Sequence, residues 1–204
     1  MSRKVTIIGA GSVGSTIAYT MAVNGLAGEV VMIDITNRKA QGEAMDIRQG
    51  TPFCGPLHIN ADAEGSDVAI VTSGVARKPG QTRSDLAQTN VNIIKSLTPE
   101  IVKYAPNAIY VFVANPVDIL TYVFKKISGI PENRIIGSGT ILDTARLRSR
   151  LAEYMSISQK NVHAYVLGEH GDSSFVPRSC AQIASVKLED YRKGRNYRDD
   201  VDPE

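Results

Sequence analysis

The sequence contains few cysteines and no long apolar run. Its two cysteines, Cys54 and Cys180, are too few and too far apart for a disulfide framework or a metal-binding knuckle, which favours a reducing compartment. No apolar run approaches the length that spans a membrane. The N-terminal MSRK leads directly into a short β-like segment instead of a signal-peptide core. These absences predict a cytoplasmic protein.

An excess of charge of one sign is also missing. The 23 basic and 21 acidic residues give a formal net charge of +2, so the basic surplus of a dedicated nucleic-acid binder is absent. The 204 residues are 43% apolar and 22% charged, which is enough to bury a globular core. The composition therefore predicts one large or two small folded domains, and no repeat or disordered protein.

Short apolar runs alternate with segments of helical periodicity. The runs are rich in β-branched residues and nearly continuous, as in strands that are covered on both faces of a parallel sheet. They span residues 5–9, 30–34, 68–72, 109–113 and 134–137. The helical segments span residues 12–23, 38–48, 84–104 with a break at Pro99, and 117–127. This alternation predicts right-handed βαβ units in an α/β, doubly wound parallel sheet.

A second domain is predicted to begin near Thr140. Residues 1–139 would form the doubly wound domain, and residues 140–204 an incomplete α+β domain. The second domain would contain a helix at 142–154 and a strand at 163–167. After Tyr191 the sequence is highly charged, so we expect that end of the chain to be frayed.

A glycine-rich motif, GAGSVG, follows the first predicted strand and opens the first helix. In that context Gly9, Gly11 and Gly14 fit a Rossmann-type dinucleotide fingerprint, with a tight turn, close approach of backbone to pyrophosphate, and close helix packing. The helix N-terminal amides would bind the phosphates. Asp34 ends the second strand about 20 residues later, where a carboxylate accepts hydrogen bonds from the ribose hydroxyls and favours NAD over NADP. The alternative is a structural turn with a capping aspartate.

The segment VLGEHGDSS contains His170 between two glycines, just after an apolar strand-like run. An imidazole takes and returns a proton near neutral pH, which suits a general acid/base. Asp143 is a candidate to orient it. Arg146 lies on nearly the same helix face as Asp143 and could hold a substrate carboxylate through two hydrogen bonds. The alternative is an acid in the first turn of a helix, followed by a surface arginine.

Two more segments carry candidate functional residues. GVARKPGQTR, residues 74–83, places Arg77, Lys78 and Arg83 in one loop, whose charge suits a phosphate, a nucleic acid or a small carboxylate. In NPVD a strand ends at a proline, so the amide of Asn115 can face a cofactor, with Asp118 three residues on.

The order of GAGSVGS, ANPVDILTYV, GSGTILDTARLR and VLGEHGDS resembles that of the L-lactate and malate dehydrogenase family, from Lys4 to about Tyr191. The resemblance implies NAD-dependent interconversion of a 2-hydroxy acid and a 2-oxo acid by hydride transfer. It implies that His170 exchanges the proton and that Asp143 fixes its tautomer. Arg146 would hold the substrate carboxylate, and Arg83 would polarise the reacting carbonyl when its loop closes.

The same resemblance extends the cofactor and substrate sites. Asn115 would bond near both the nicotinamide and the substrate, with Asp118 on the substrate side. Beyond the glycines and Asp34, the implied cofactor residues are Val13, Lys39, Gly74, Val75, Ser96, Val113, Ala114 and Ser138.

Most distinguishing positions resemble the bacterial lactate enzymes. They are Thr51-Pro-Phe53, Thr144, and Glu169 before the histidine. Arg148 and His163 match the positions at which allosteric members bind fructose 1,6-bisphosphate between subunits. The resemblance thus implies a homotetrameric enzyme of glycolysis and fermentation that acts on L-lactate and pyruvate.

Arg77 instead matches the malate enzymes, because lactate enzymes most often have glutamine before Lys-Pro-Gly. An arginine that faces the methyl group of pyruvate in a closed site would be a desolvated, unpaired cation, whereas oxaloacetate would supply a second carboxylate. The long side chain could also turn towards solvent or an acid. Malate therefore stays the alternative substrate.

Members of this family continue beyond the length of this chain for most of another half-domain. That part would hold a helix that closes the active site, a threonine beside the substrate and much of the subunit interface. We therefore expect a C-terminally truncated member. It is either a dehydrogenase or a catalytically impaired NAD-binding remnant.

Overall fold

A computed structural model describes residues 3–53, 58–60, 64–76, 79–80 and 82–194, without the side chains of Phe53, Ile59, Asn60 and Arg83. The chain divides into two compact units, Met1–Gly137 and Ser138–Glu204. The predicted domain boundary near Thr140 lies close to this division. Each unit contains its own cluster of buried apolar side chains.

The first unit is built on a six-stranded parallel sheet with the order β3-β2-β1-β4-β5-β6. The strands are β1 (Lys4–Ile8), β2 (Glu29–Ile33), β3 (His58–Asn60), β4 (Val68–Val71), β5 (Ile109–Phe112) and β6 (Ile135–Gly137). The direction of winding reverses between β1 and β4, where doubly wound sheets bind ligands at the carboxyl ends of their strands. The predicted doubly wound α/β fold is confirmed.

Four long helices cover this sheet: α1 (Ser12–Asn24), α2 (Asn37–Gly50), α3 (Arg83–Tyr104) and α4 (Val117–Ser128). Side chains of a strand alternate between the two faces, so neighbours in β1 join different cores. Ile7 packs with Ala18 of α1 and Ala40 of α2, whereas Ile8 packs with Ile94 of α3 and Phe124 of α4. The apolar residues of β1 are thereby buried on both faces of the sheet.

The predicted helix break at Pro99 is wrong, because α3 continues through it. Proline removes one backbone hydrogen bond and typically costs about 3 kcal/mol or more inside a helix. Here buried contacts hold the helix on both sides. Ile94 lies in the core before the proline, and the hydroxyl of Tyr110 donates to the carbonyls of Ile101 (3.1 Å) and Ala105 (2.8 Å) after it.

The second unit is α+β. It contains α5 (Ile141–Tyr154), a small antiparallel sheet β7-β8-β9, and α6 (Leu188–Gly194). The short strands are β7 (Val162–His163), β8 (Gln182–Ile183) and β9 (Val186–Lys187). Short 3₁₀ turns in the chain span Thr51–Phe53, Glu132–Arg134, Gln159–Asn161 and Arg178–Cys180.

The predicted strand at 163–167 forms only in part. Regular pairing ends at His163, and one isolated antiparallel bridge joins Leu167 to Phe175. Between His163 and Leu167, the backbone is bound by the side chains of α5 and of its N-cap, Thr140. These side chains take the place of a neighbouring strand. In the described part of the chain, no helix combines the length and apolarity needed to cross a lipid bilayer.

Candidate active site

The glycine-rich motif lies between β1 and α1 at the carboxyl end of the strand. Gly9 has a φ of +116°, and a Cβ there would lie 2.7 Å from Thr72 Oγ1. A Cβ at Gly14 would lie 1.8 Å from the carbonyl oxygen of Gly9, so only glycine lets α1 pack this closely. Among the described residues, a Cβ at Gly11 would meet nothing within 4 Å. The space in front of Gly11 is therefore open, as the approach of a pyrophosphate requires.

Asp34 follows β2 and is fixed beside this turn by two backbone amides. Its Oδ2 accepts a hydrogen bond from the N–H of Ala10 (2.8 Å), and its Oδ1 accepts one from the N–H of Thr36 (2.9 Å). Each carboxylate oxygen has a second lone pair, which suits a ribose hydroxyl. Two backbone hydrogen bonds thus fix the carboxylate of Asp34 next to the glycine turn.

Ser15, in the first turn of α1, is a site residue that the sequence analysis missed. Its Oγ is buried and finds no hydrogen-bond partner among the described residues. A buried hydroxyl is rarely left unpaired. A phosphate at this helix N-terminus would supply an acceptor. The motif GAGSVGS contains this serine, but the burial of its hydroxyl depends on how α1 packs against the sheet.

A second missed residue, Asn90 of α3, connects the loops after β4 and β5. It is 1% exposed. Its Oδ1 accepts from the N–H of Val75 (2.9 Å), and its Nδ2 donates to the carbonyl of Asn115 (2.7 Å). A Cβ at Gly74 would come within 3.3 Å of its amide. The sequence signal for Asn90 was a polar residue at an inward-facing position of an amphipathic helix.

The predicted cofactor residues lie in different parts of the first unit, apart from Ser138, which begins the second unit. Gly74 and Val75 follow β4, whereas Val113, Ala114 and Asn115 follow β5, so these five lie at the carboxyl ends of neighbouring strands. The remaining ones are in helices: exposed Val13 in α1, exposed Lys39 in α2, and Ser96 in α3. Asp118, predicted on the substrate side, is partly buried in the first turn of α4. Ser96 lies about 20 Å along α3 from its N-terminus, and its hydroxyl donates to the carbonyl of Ile93.

The second unit brings His170 and Asp143 together. Nδ1 of His170 lies 2.5 Å from Oδ2 of Asp143, and both side chains are partly buried. Because a carboxylate accepts, Nδ1 is the donor in this contact. The other oxygen of Asp143 accepts from Nη1 of Arg146 (3.3 Å), whose side chain is 65% exposed. Asp143, in the first turn of α5, therefore contacts both Arg146 and His170.

Comparison with known proteins agrees with both units. Residues 3–137 match the NAD binding domain of lactate/malate dehydrogenase, and residues 140–202 match the α/β C-terminal domain of lactate/malate dehydrogenase. The chain belongs to the lactate/malate dehydrogenase family. The resemblance seen in the sequence motifs is thereby confirmed.

Several L-lactate dehydrogenases of this family are close in sequence. L-lactate dehydrogenase 1 of Clostridium acetobutylicum is 48% identical over 194 residues, which cover 93% of this chain and 62% of that protein. An L-lactate dehydrogenase of Clostridium perfringens is 49% identical over 196 residues, with 94% and 62% coverage. The chain thus spans about 62% of the length of these relatives.

Solved structures of the family have the same fold. MGS-M5, a lactate dehydrogenase from a Medee basin deep-sea metagenome library, superposes with a TM-score of 0.90 at 41% identity, covering 98% of this chain and 65% of its own. The minor L-lactate dehydrogenase of Enterococcus mundtii gives a TM-score of 0.90 at 39% identity, covering 95% of this chain and 63% of its own.

The basic loop is described only in part. Arg77 and Lys78 lie outside the described residues, as does the side chain of Arg83. The backbone of Arg83 begins α3, where Thr82 Oγ1 accepts from the N–H of Asp85 (3.1 Å) and Asp85 Oδ2 accepts from the N–H of Thr82 (3.2 Å). The hydrogen bonds from Thr82, chiefly that from its hydroxyl, hold the pKa of Asp85 below its usual value. This reciprocal cap fixes the end of the loop that leads into Arg83.

The two predicted effector residues lie on neighbouring segments of the second unit. His163 ends β7 and is exposed. Arg148 of α5 donates through Nε to the carbonyl of Ala164 (3.0 Å), and its guanidinium lies 4.7 Å from the ring centroid of Tyr165. Arg148 therefore already holds backbone beside His163.

Proposed function

We propose that this family member carries the chemistry of an NAD-dependent 2-hydroxy-acid dehydrogenase. The observation that carries the proposal is the 2.5 Å contact between His170 and Asp143 in a chain with a dinucleotide-type glycine turn. When bound, NAD accepts the hydride from the hydroxy acid, and NADH returns it to the oxo acid. The chain's own residues supply proton transfer, orientation and charge.

In the oxidative direction, Nε2 of His170 takes the proton of the substrate hydroxyl. Asp143 keeps the ring in the tautomer that leaves Nε2 ready and stabilises the imidazolium that forms. Arg146 holds the substrate carboxylate. Because His170 and Arg146 contact the two oxygens of one carboxylate, Asp143 also sets the spacing between the proton acceptor and the carboxylate anchor. Arg83 stabilises the charge that develops on the reacting oxygen.

Binding of NAD is assigned to the first unit. The open space at Gly11 and the unpaired hydroxyl of Ser15 suit the pyrophosphate, and the fixed carboxylate of Asp34 suits the ribose. That carboxylate would repel the 2′-phosphate of NADP, so NAD is the expected cofactor. The roles of the other cofactor residues rest on the family resemblance.

For the substrate, we propose L-lactate and pyruvate, with malate and oxaloacetate as the alternative pair. The relatives named above are L-lactate dehydrogenases, which favours the first pair. Arg77 favours the second pair, since a second carboxylate would pair with it. The test compares NADH oxidation with pyruvate and with oxaloacetate. If Arg77 faces the substrate, Arg77→Gln raises the preference for pyruvate at least tenfold, whereas Lys78→Gln leaves it within about twofold. An unchanged ratio in Arg77→Gln would show that Arg77 lies away from the substrate.

The second candidate is an NAD-binding module without turnover. The match of residues 3–137 to an NAD binding domain supports it, because that unit carries the dinucleotide-type turn and Asp34 without His170. NADH binding measured beside NADH oxidation separates the two: binding without oxidation by either oxo acid identifies the module, whereas oxidation identifies the dehydrogenase. Cytoplasmic location remains a prediction from the composition of the sequence. Assembly into a homotetramer and control by fructose 1,6-bisphosphate through Arg148 and His163 remain predictions of the family resemblance. Sedimentation with and without the bisphosphate tests the last two.

A further inference from the structure

Thr140, the N-cap of α5, and two side chains within α5 bind the backbone of the segment that leads to His170. Thr140, Thr144 and Arg148 are spaced four residues apart, so they lie on one face of the helix. Thr140 Oγ1 donates to the carbonyl of Val166 (2.6 Å), and Thr144 Oγ1 accepts from the N–H of Val166 (2.9 Å). Nε of Arg148 donates to the carbonyl of Ala164 (3.0 Å). In this way α5 supplies the bonds that a neighbouring strand would otherwise make.

The loop that carries His170 starts directly after this segment and is closed on itself. Leu167 and Phe175 exchange two backbone hydrogen bonds of 2.9 Å each. Inside the loop, Gly168 has a φ of +96°, and Ser173 Oγ donates to a carboxylate oxygen of Glu169 (2.8 Å). A loop held in this way moves with its base. The position of His170 therefore depends on where Val166 is attached to α5.

Asp143 and Thr144 are consecutive residues in one turn of α5. Asp143 contacts His170, and Thr144 contacts Val166. A shift of Val166 along α5 would therefore break its bond to Thr144 and also move His170 away from Asp143. We propose that Thr144 is a positioning residue, whose hydroxyl sets the register in which His170 meets Asp143.

The alternative is that Thr144 only adds stability. Thr144→Val keeps the shape of the side chain and removes the hydroxyl, whereas Thr144→Ser keeps the hydroxyl. A matched control is Thr98→Val, because Thr98 is also a helical threonine, is 3% exposed, and donates to the carbonyl of Ile94 (2.7 Å) in the first unit. Thermal unfolding tests whether each variant is folded.

The measurement is the exchange with water of the Nδ1 proton of His170, followed by NMR on the whole chain without ligand. The chain has three histidines, so His58→Gln and His163→Gln complete the assignment. In Thr144→Val the N–H of Val166 loses its acceptor, and we expect exchange to become at least about tenfold faster. Thr144→Ser and Thr98→Val should stay within about twofold of the parent chain.

Exchange within twofold of the parent in Thr144→Val, or an equal acceleration in Thr98→Val, would overturn the proposal. If Thr144→Val does not fold, Thr144→Ala gives the same test, because it also removes the acceptor of the Val166 N–H. The kinetic counterpart rests on the proposed function: kcat should fall at least about tenfold while the KM of the oxo acid changes little. Absence of turnover in the parent chain would contradict the proposed function, and the exchange rates would still decide the role of Thr144.

Discussion

Gly11 and Gly14 separate the folding role of the glycine turn from its binding role. Gly11 has a φ of −78° and an open surrounding, so alanine fits there without strain. Alanine at Gly14 would place Cβ 1.8 Å from the carbonyl oxygen of Gly9, a contact that backbone movement alone can relieve. Gly11→Ala therefore tests whether the turn binds the cofactor, and Gly14→Ala tests whether the turn needs glycine in order to fold.

The two substitutions should differ in magnitude as well as in kind. At Gly14 the overlap must be relieved by moving α1 from the sheet, and we expect a loss of about 2–3 kcal/mol in the free energy of unfolding. At Gly11, the N-cap of α1, we expect a change within about 1 kcal/mol, because the restriction of the unfolded chain by alanine is offset by its low preference for an N-cap. A methyl group in the path of the pyrophosphate should nevertheless weaken NADH binding at least tenfold, or about 1.4 kcal/mol.

Urea unfolding without ligand measures the first quantity, and a fluorescence titration with NADH measures the second. Gly42→Ala is the matched control, because Gly42 lies within α2 and a Cβ there meets nothing within 4 Å. It should gain about 0.5–1 kcal/mol of stability and bind NADH like the parent chain. Unchanged NADH affinity in Gly11→Ala would refute the assignment of the turn to the pyrophosphate.

Two further predictions concern the first unit. Burial raises the pKa of Tyr110 to about 12, so above pH 10 the unfolded chain releases this proton while the folded chain retains it. This contribution is present below pH 10 and is lost as the pH rises through 12. At pH 11.5 about 2 kcal/mol of it is lost, so urea unfolding at pH 9 and 11.5 should show a difference of about 2 kcal/mol in the parent that Tyr110→Phe lacks. An equal difference in both chains would contradict this prediction. Asn90→Ala leaves the N–H of Val75 and the carbonyl of Asn115 without this partner, so we expect a loss of about 2–4 kcal/mol, against less than about 0.5 kcal/mol for exposed Asn92→Ala. A loss below 1 kcal/mol in Asn90→Ala would count against the connection.

Strands with continuous apolar runs could be predicted because a strand that is covered on both faces of a sheet has apolar residues at successive positions. β3 was missed, since its three residues alternate polar and apolar types and its place depends on pairing with Glu29–Val31 of β2. The break at Pro99 was wrong because packing on both sides of the proline outweighs one missing bond. The strand at 163–167 was overpredicted, since side chains of a helix satisfy its backbone.

In the candidate site, too, local features could be predicted from the sequence, whereas features that depend on packing could not. Gly9, Gly11 and Gly14 could be recognised because their roles are local to one turn. The contact of His170 with Asp143 joins residues 27 positions apart, so the sequence offered it only as one candidate pairing. Ser15, Asn90 and the threonines of α5 were missed because the direction of a hydroxyl or an amide depends on how its element packs.

Under the proposed function, this chain transfers a hydride between NAD and a 2-hydroxy acid with His170 as the proton carrier. The most direct measurement incubates the purified chain with pyruvate and NADH deuterated at the transferring position, then examines the product by mass spectrometry. We predict deuterium at C2 of L-lactate, and no such product with His170→Asn, although that variant binds NADH as the parent does. NADH binding without deuterium transfer to pyruvate or oxaloacetate would contradict the account.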